Sequence, residues 1–298
     1  MNWLNAFELM CYTIVALMLF DLIRKKDYDA LFTFGAAALV GFTMELLAVS
    51  VTDIYYYNPN FWLSLGKEPY QFPVFGGFMW GGLTVYGIKL AGKLKAGKLL
   101  TALAVGLLIV SMDIFLDVVA IRLDGGFWTW VGKPITTQIN GSTFMSVIWV
   151  NFLGYMIETP TVVLLTLKKR EKIAENDWKK QTLWMLLIAF LAIVVTGAGS
   201  LIALLLNTVT KDWFSCLAFL LIWFTVLGMV IVKAVKEKLR PESPKRWNLP
   251  QLVFWVAMYV YPLIAIVSLG IHKVHPWFLV MGIVFMVATA YLSVAAQE

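Results

Sequence analysis

The sequence predicts an all-α integral membrane protein, a bundle of about nine transmembrane helices with the N-terminus outside and the C-terminus inside. Three observations predict it. Of 298 residues, 60% are apolar or aromatic and only 14% are charged, where a soluble domain carries about 25% charged residues. The apolar residues gather in runs of the roughly 20 needed to cross a bilayer. The basic residues alternate from loop to loop. Together these exclude an ordinary cytosolic protein, a disordered tail and a nucleic-acid module, so the net charge of +6 points to no nucleic-acid partner.

The runs lie at about 4–23, 30–52, 72–91, 98–120, 145–167, 181–206, 213–235, 250–269 and 276–296. Lipid offers no partner to free backbone groups, so runs of this length are helical. Without an internal repeat or a low-complexity linker, residues 1–298 form a single polytopic domain. The N-terminus lacks a basic leader and carries Glu8, which reads as a retained helix rather than a cleaved signal.

Loop charge orients the spans. One side collects Arg24, Lys25 and Lys26, then Lys89, Lys93, Lys95 and Lys98. It continues with Lys168, Lys169, Arg170, Lys172, Lys179 and Lys180, and ends with Lys233, Lys236, Lys238, Arg240, Lys245 and Arg246. The other side has only Lys67, Arg122, Lys133, Lys211 and Lys273. By the positive-inside rule the richer side is cytoplasmic, giving a multi-pass protein of the cell membrane. The same rule accounts for the charge runs as topology determinants rather than ligand sites.

An acidic side chain near a helix centre costs about 2.5–3.5 kcal/mol on insertion scales, so Glu45, Asp113, Asp117 and Glu158 each need a reason. Asp113 and Asp117 are four apart on span 4 and share a helix face. Asn151 and Glu158 are seven apart on span 5 and share another. Given the topology, Glu45, the two aspartates and Asn151 fall at similar depth toward the outer side. Two long polar connections, 53–71 and 121–144, emerge there with Tyr55, Tyr56, Tyr57, Phe61, Trp62, Tyr70, Phe127, Trp128 and Trp130.

Plainer readings stand beside this one. Arg122 is placed to pair with Asp113 or Asp117. Glu158 precedes Thr159-Pro160 and could serve a loosened turn. Glu8 and Asp21 read as interfacial, the tyrosines and tryptophans as an aromatic belt, and His272 and His275 as solvated. The Thr196–Ser200 stretch reads as close helix packing, and spans 6–9, about 181–296, as scaffold. Cys11 and Cys216 sit in apolar runs and read as buried small hydrophobes. No HExxH, Cys/His cluster, P-loop or GxGxxG occurs, so no metal and no cofactor is expected.

The segment Leu116-Asp117-Val118-Val119-Ala120-Ile121-Arg122, followed by Phe127-Trp128-Thr129-Trp130, resembles a membrane family of carotenoid biosynthesis. So do Asn151-Phe152-Leu153-Gly154-Tyr155 and, upstream, Glu45, Tyr57, Gly66, Pro73 and Trp80. The resemblance covers about residues 35–160. This chain departs from the family pattern at Val118, where proline is expected, at Val147-Ile148-Trp149, and at Tyr155. Characterised members hydrate the terminal double bonds of acyclic carotenoids. The resemblance implies a lipid-soluble polyene or isoprenoid substrate and a carotenoid hydratase-like hydro-lyase.

Such a hydration protonates the less substituted alkene carbon, and water captures the tertiary cation. It needs a carboxyl still protonated at neutral pH, which an apolar setting or a close acid pair provides. Glu45, Asp113 and Asp117 are the candidate acid and base groups. Tyr57, Trp80, Arg122, Trp128, Trp130 and Asn151 are the candidate substrate-binding residues. Aromatic faces stabilise a cation by about 0.5–2 kcal/mol each, and Asn151 is suited to orient the water. A protonation-initiated cyclase would use the same acid. A proton-coupled transporter would use buried acids as relays but usually shows paired repeats. An intramembrane prenyltransferase needs two acidic clusters for Mg²⁺, and only one aspartate pair occurs.

Overall fold

A computed structural model describes residues 2–174, 177–244 and 247–296; Lys245 and Arg246 of the predicted basic loops lie outside the described residues. Nine long helices occur among the described residues. They are α1 (Trp3–Arg24), α2 (Tyr28–Val51), α3 (Val74–Gly92), α4 (Lys98–Ala120), α5 (Trp149–Arg170), α6 (Trp178–Thr210), α7 (Trp213–Glu237), α8 (Leu249–Ser268) and α10 (Pro276–Val294), with a one-turn α9 (Ile271–Val274) before the last. Each falls on a predicted run. α6, at 33 residues, extends beyond its run at both ends.

Eight of the nine are long and apolar enough to span a membrane. α3 falls short because its 19 residues include six glycines. It nevertheless runs the full height of the bundle. Gln71, just before it, donates to the Tyr57 carbonyl at one end, and Lys89 pairs with Asp27 at the other, 2.6 Å away. The glycines let α2 approach. An added Cβ at Gly77 or Gly81 would strike the Phe42 or Phe34 ring, and one at Gly41 of α2 would strike Trp80. The chain is a multi-pass helical membrane protein.

α4 is the central helix, with 78% of its most apolar stretch buried, against 22% for α6 and α10 and 28% for α7. Those three outer helices present leucine, valine, isoleucine and phenylalanine outward, as lipid-facing surfaces do. Cys11 and Cys216 are free and buried.

The two ends of the bundle differ in chemistry. At the basic end, Asp21 takes Lys25 at 2.7 Å, and buried Asp29 takes Lys169 at 2.7 Å and Arg170 at 2.6 Å. Lys98 meets Glu171, and Lys93 donates to the Leu292 and Ser293 carbonyls of α10. The basic loops that the positive-inside rule predicts to be cytoplasmic thus gather at one end of the bundle.

The opposite end is capped by folded loops. Their short strands are β1 (Tyr55–Tyr57), β2 (Ser64–Leu65), β3 (Phe72–Pro73), β4 (Trp128–Trp130), β5 (Thr143–Phe144) and β6 (Val147–Ile148), pairing β1 with β4, β2 with β3 and β5 with β6, all antiparallel. A further pair, β7 (Arg240–Pro241) with β8 (Ala295–Ala296), joins the other end.

Several expectations change here. Glu8 does not snorkel outward: it is fully buried and accepts from the backbone N–H groups of Trp62 (2.8 Å) and Leu63 (3.1 Å), gripping the first loop. Asp21 is 2% exposed, its charge met by Lys25 and Arg24. His275 is not merely solvated: its Nε2 lies 2.8 Å from the Thr137 carbonyl, tying down the second loop. Half-buried His272 has a buried Nδ1 with no partner among the described residues.

Candidate functional site

The tyrosine run does not lie flat as a belt. β1 pairs with β4 in the register Tyr55↔Trp130, Tyr56↔Thr129, Tyr57↔Trp128. Alternate residues of a strand share a face, so Tyr55 and Tyr57 point the same way while Tyr56 turns aside to Asp53. The first two point down to α2. Both phenols donate to one carboxyl oxygen, Glu45 Oε2, Tyr57 at 2.9 Å and Tyr55 closer still. Burial first, and then the Glu45 charge, hold both phenols well above their ordinary range, so they stay neutral donors. The ribbon's rings pack on one another, Tyr55 with Trp130 at 4.9 Å and Tyr57 with Trp128 at 5.8 Å.

α4 and α5 bring the other polar groups. Asp113 and Asp117 are both buried, 8% and 2% exposed. Asn151 Nδ2 donates to Asp117 Oδ2 at 2.6 Å. Asp113 Oδ2 has no hydrogen-bond partner among the described residues. Tyr155, one turn beyond Asn151, stacks edge-on against Trp80 with centroids 4.9 Å apart.

Three adjoining spaces surround these groups. A narrow chamber of about 80 Å³ is walled by Phe7, Tyr57, Phe72, Phe75, Trp80, Trp128 and Tyr155, with Met79, Met112 and Met258, and contains Glu45 and Asp113. A larger groove of about 390 Å³ runs between α2, α5 and α6 past Glu45, Tyr55, Asn151, Tyr155, Glu158, Thr196 and Ser200. Glu45 and Tyr155 line both, forming the wall between them. The groove's rim residues Leu47, Val51 and Leu201 are exposed, so it opens sideways, toward lipid. A third recess of about 410 Å³ at the loop end shares Ile54, Trp130, Ile148, Val150 and Leu204 with the groove, and adds Asp53, Lys133, Asn207 and Asp212.

The structure thus gathers Glu45, Asp113, Asn151, Tyr57, Trp80, Trp128 and Trp130 around connected spaces. Asp117 sits behind Asn151 and forms no part of the cavity walls. Arg122 stands apart. It pairs with neither aspartate and lines none of these spaces; its guanidinium donates to the carbonyls of Val118, Thr136 and Met145. It clamps the second loop to the end of α4. Burial lowers its guanidinium to about 10, still charged at neutral pH.

Tyr55, Tyr155 and the α6 wall also border these spaces, although none is among the predicted site residues. Tyr155 carries a signal, since it lies four residues after Asn151 and three before Glu158, on one helical face. α6 is not scaffold alone. Gly199 does receive Ile157 closely, but Thr196, Gly197 and Ser200 border the groove.

Among the described residues no three His, Cys, Asp or Glu side chains gather to hold a metal ion. Compared with protein-family models, curated proteins and solved structures, the chain has no match. The geometry defines a helical membrane protein with an acid-bearing, aromatic-lined chamber beside a groove whose rim is exposed.

Proposed function

We propose that the protein is an enzyme of isoprenoid, specifically carotenoid, metabolism in the cell membrane. It hydrates a terminal carbon–carbon double bond of an acyclic polyene. One observation carries the reading: the Glu45 carboxyl, held by two phenols, stands in the wall between an aromatic chamber containing a second carboxyl and a groove open to lipid. A long apolar chain lies in the groove and its end enters the chamber.

The two carboxyls take different parts because their surroundings differ, as in other paired-acid sites. Asp113 has an oxygen with no donor beside it and faces the chamber, which makes it the proton donor to the less substituted alkene carbon. The tertiary cation that results faces Tyr57, Trp80 and Trp128, whose rings stabilise it by about 0.5–2 kcal/mol each. Water arrives from the outer recess along Trp130. Asn151, with its amide nitrogen committed to Asp117, offers its oxygen to orient that water. As the water oxygen bonds to the cation, its proton passes to Glu45, which already accepts two hydrogen bonds. A proton returned from Glu45 to Asp113 completes the cycle with no net consumption of acid.

The resemblance of residues 35–160 to carotenoid hydratases supports the same reaction class. A cyclase would use the same acid and cation; the polar lining of Asn151, Tyr55 and the outer recess favours capture by water. The test is expression in cells that accumulate an acyclic carotenoid. A mass gain of 18 per modified end is expected, lost in Asp113→Asn and Glu45→Gln. Conversion to an isomer of unchanged mass points to cyclisation, and unchanged pigment with correctly inserted protein overturns the proposal.

A further inference from the structure

Glu158 and Thr196 are among the polar groups of the groove that this reaction does not use. Glu158 of α5 is 7% exposed, lines the groove, and makes no hydrogen bond among the described residues. Thr196 of α6 is 2% exposed, lines the same groove, and its hydroxyl has no partner among the described residues. The two face each other. α5 and α6 pack antiparallel, with Gly154 against Ser200 and Gly199 against Ile157, and the same register sets Glu158 opposite Thr196. A Cβ built on neighbouring Gly197 meets nothing within 4 Å, so space remains at this level.

An unsatisfied buried polar group is costly, and mid-membrane water is scarce. The unpartnered Thr196 hydroxyl and the Glu158 carboxyl, on neighbouring helices of a groove with no basic residue in its lining, are suited to a neutral oxygen brought by the ligand. We propose that Glu158 and Thr196 form a subsite for a hydroxyl or carbonyl oxygen carried on the isoprenoid chain itself. The substrate is therefore an oxygenated chain rather than a pure hydrocarbon. Glu158 lies seven residues along α5 from Asn151, about 10 Å at helical rise. The recognised oxygen is that far from the reacting end. The proposal rests on reading the groove as the chain site, but not on the reaction performed there.

The test is binding, without turnover. The protein in nanodiscs is titrated with farnesol, whose hydroxyl lies near this distance from its terminal alkene, and with the same C15 chain lacking the hydroxyl, at equal mole fraction in lipid. Tryptophan fluorescence reports occupancy, since Trp130 borders the groove. Wild type should prefer the alcohol about tenfold, the value of a hydrogen bond that satisfies buried groups. Thr196→Val, which keeps shape, and Glu158→Leu should each bring the preference below about threefold without weakening the hydrocarbon. Thr196→Val should also leave the thermal midpoint unchanged, because the hydroxyl it removes has no structural partner. Equal affinities in wild type, or a preference that survives both variants, overturn the proposal. A preference lost in Glu45→Gln but kept in Thr196→Val places the oxygen at the other end of the groove and overturns it too. Retained alcohol preference in a protein that hydrates no carotenoid separates this subsite from the reaction.

Discussion

Gly41→Ala tests whether α2–α3 packing shapes the chamber. A Cβ at position 41 would stand 2.4 Å from Trp80 Cδ1, 2.6 Å from Cγ and 2.7 Å from Cβ. Carbon atoms rest at about 3.5–4.0 Å, so a gap of about 1 Å must open. Ring rotation cannot provide all of it, because the Trp80 Cβ is itself in the way; the two helices must part. Overpacking of this kind costs about 1–3 kcal/mol. Alanine returns up to about 1 kcal/mol over glycine in helix propensity, leaving a net loss of about 1–2 kcal/mol. In a Trp80→Gly background, which removes Cδ1, Cγ and Cβ alike, the clash is gone and only propensity remains. There Gly41→Ala should stabilise, by up to about 1 kcal/mol. Thermal and denaturant unfolding in one detergent would measure all four members of this cycle, and the coupling should exceed 1 kcal/mol. The same cost in both backgrounds, or a Gly41→Ala protein as stable as the native one, refutes the packing argument. Conversion of substrate should fall with Gly41→Ala even where folding is complete, since Trp80 walls the chamber beside Glu45.

Other outcomes follow from the same geometry. Arg122→Met leaves three carbonyls without their charged donor and should cost about 2–4 kcal/mol, with faster amide exchange across residues 127–146; Arg122→Lys should recover less than half, because an ammonium cannot fork. Asp29→Ala strands buried Lys169 and should cost about 3–5 kcal/mol, whereas the Asp29→Ala, Lys169→Ala double variant should lose less than the two single losses combined, measured by thermal unfolding. Tyr57→Phe and Tyr55→Phe should each lower polyene conversion about tenfold, one hydrogen bond to a charged acceptor being worth about 1.5–3 kcal/mol. Full conversion in both single variants, with loss only in the double one, would indicate that one phenol suffices.

The helices were legible because a bilayer demands a long apolar run and penalises misplaced charge. Even α3, diluted by glycine, kept enough apolar length to be read. The acids were legible for the same reason: Glu45, Asp113 and Glu158 stand out where charge is expensive. The ribbon over the site was not. Tyr55–Tyr57 and Trp128–Trp130 are three residues each and some seventy positions apart, too short to show a strand period and too distant to suggest pairing. Glu8 and Arg122 misled for a related reason. Their partners are backbone groups of remote loops, which no side-chain pattern reveals. α6 looked like scaffold because threonine, glycine and serine also mark plain helix packing, and only the groove on the far side separates the two uses.

The loops at the outer end are gripped from below at several points: Glu8 on Trp62 and Leu63, Asp124 on Leu4, His275 on Thr137, and the Trp213 ring under Gly141. A roof fastened this way admits small solutes but leaves a bulky oily molecule only the flank. Encounter with such a molecule then takes place in two dimensions, at a rate governed by its mole fraction in the membrane. Apparent affinities would scale with the lipid added to the assay, and a competing compound would be ranked first by how well it partitions.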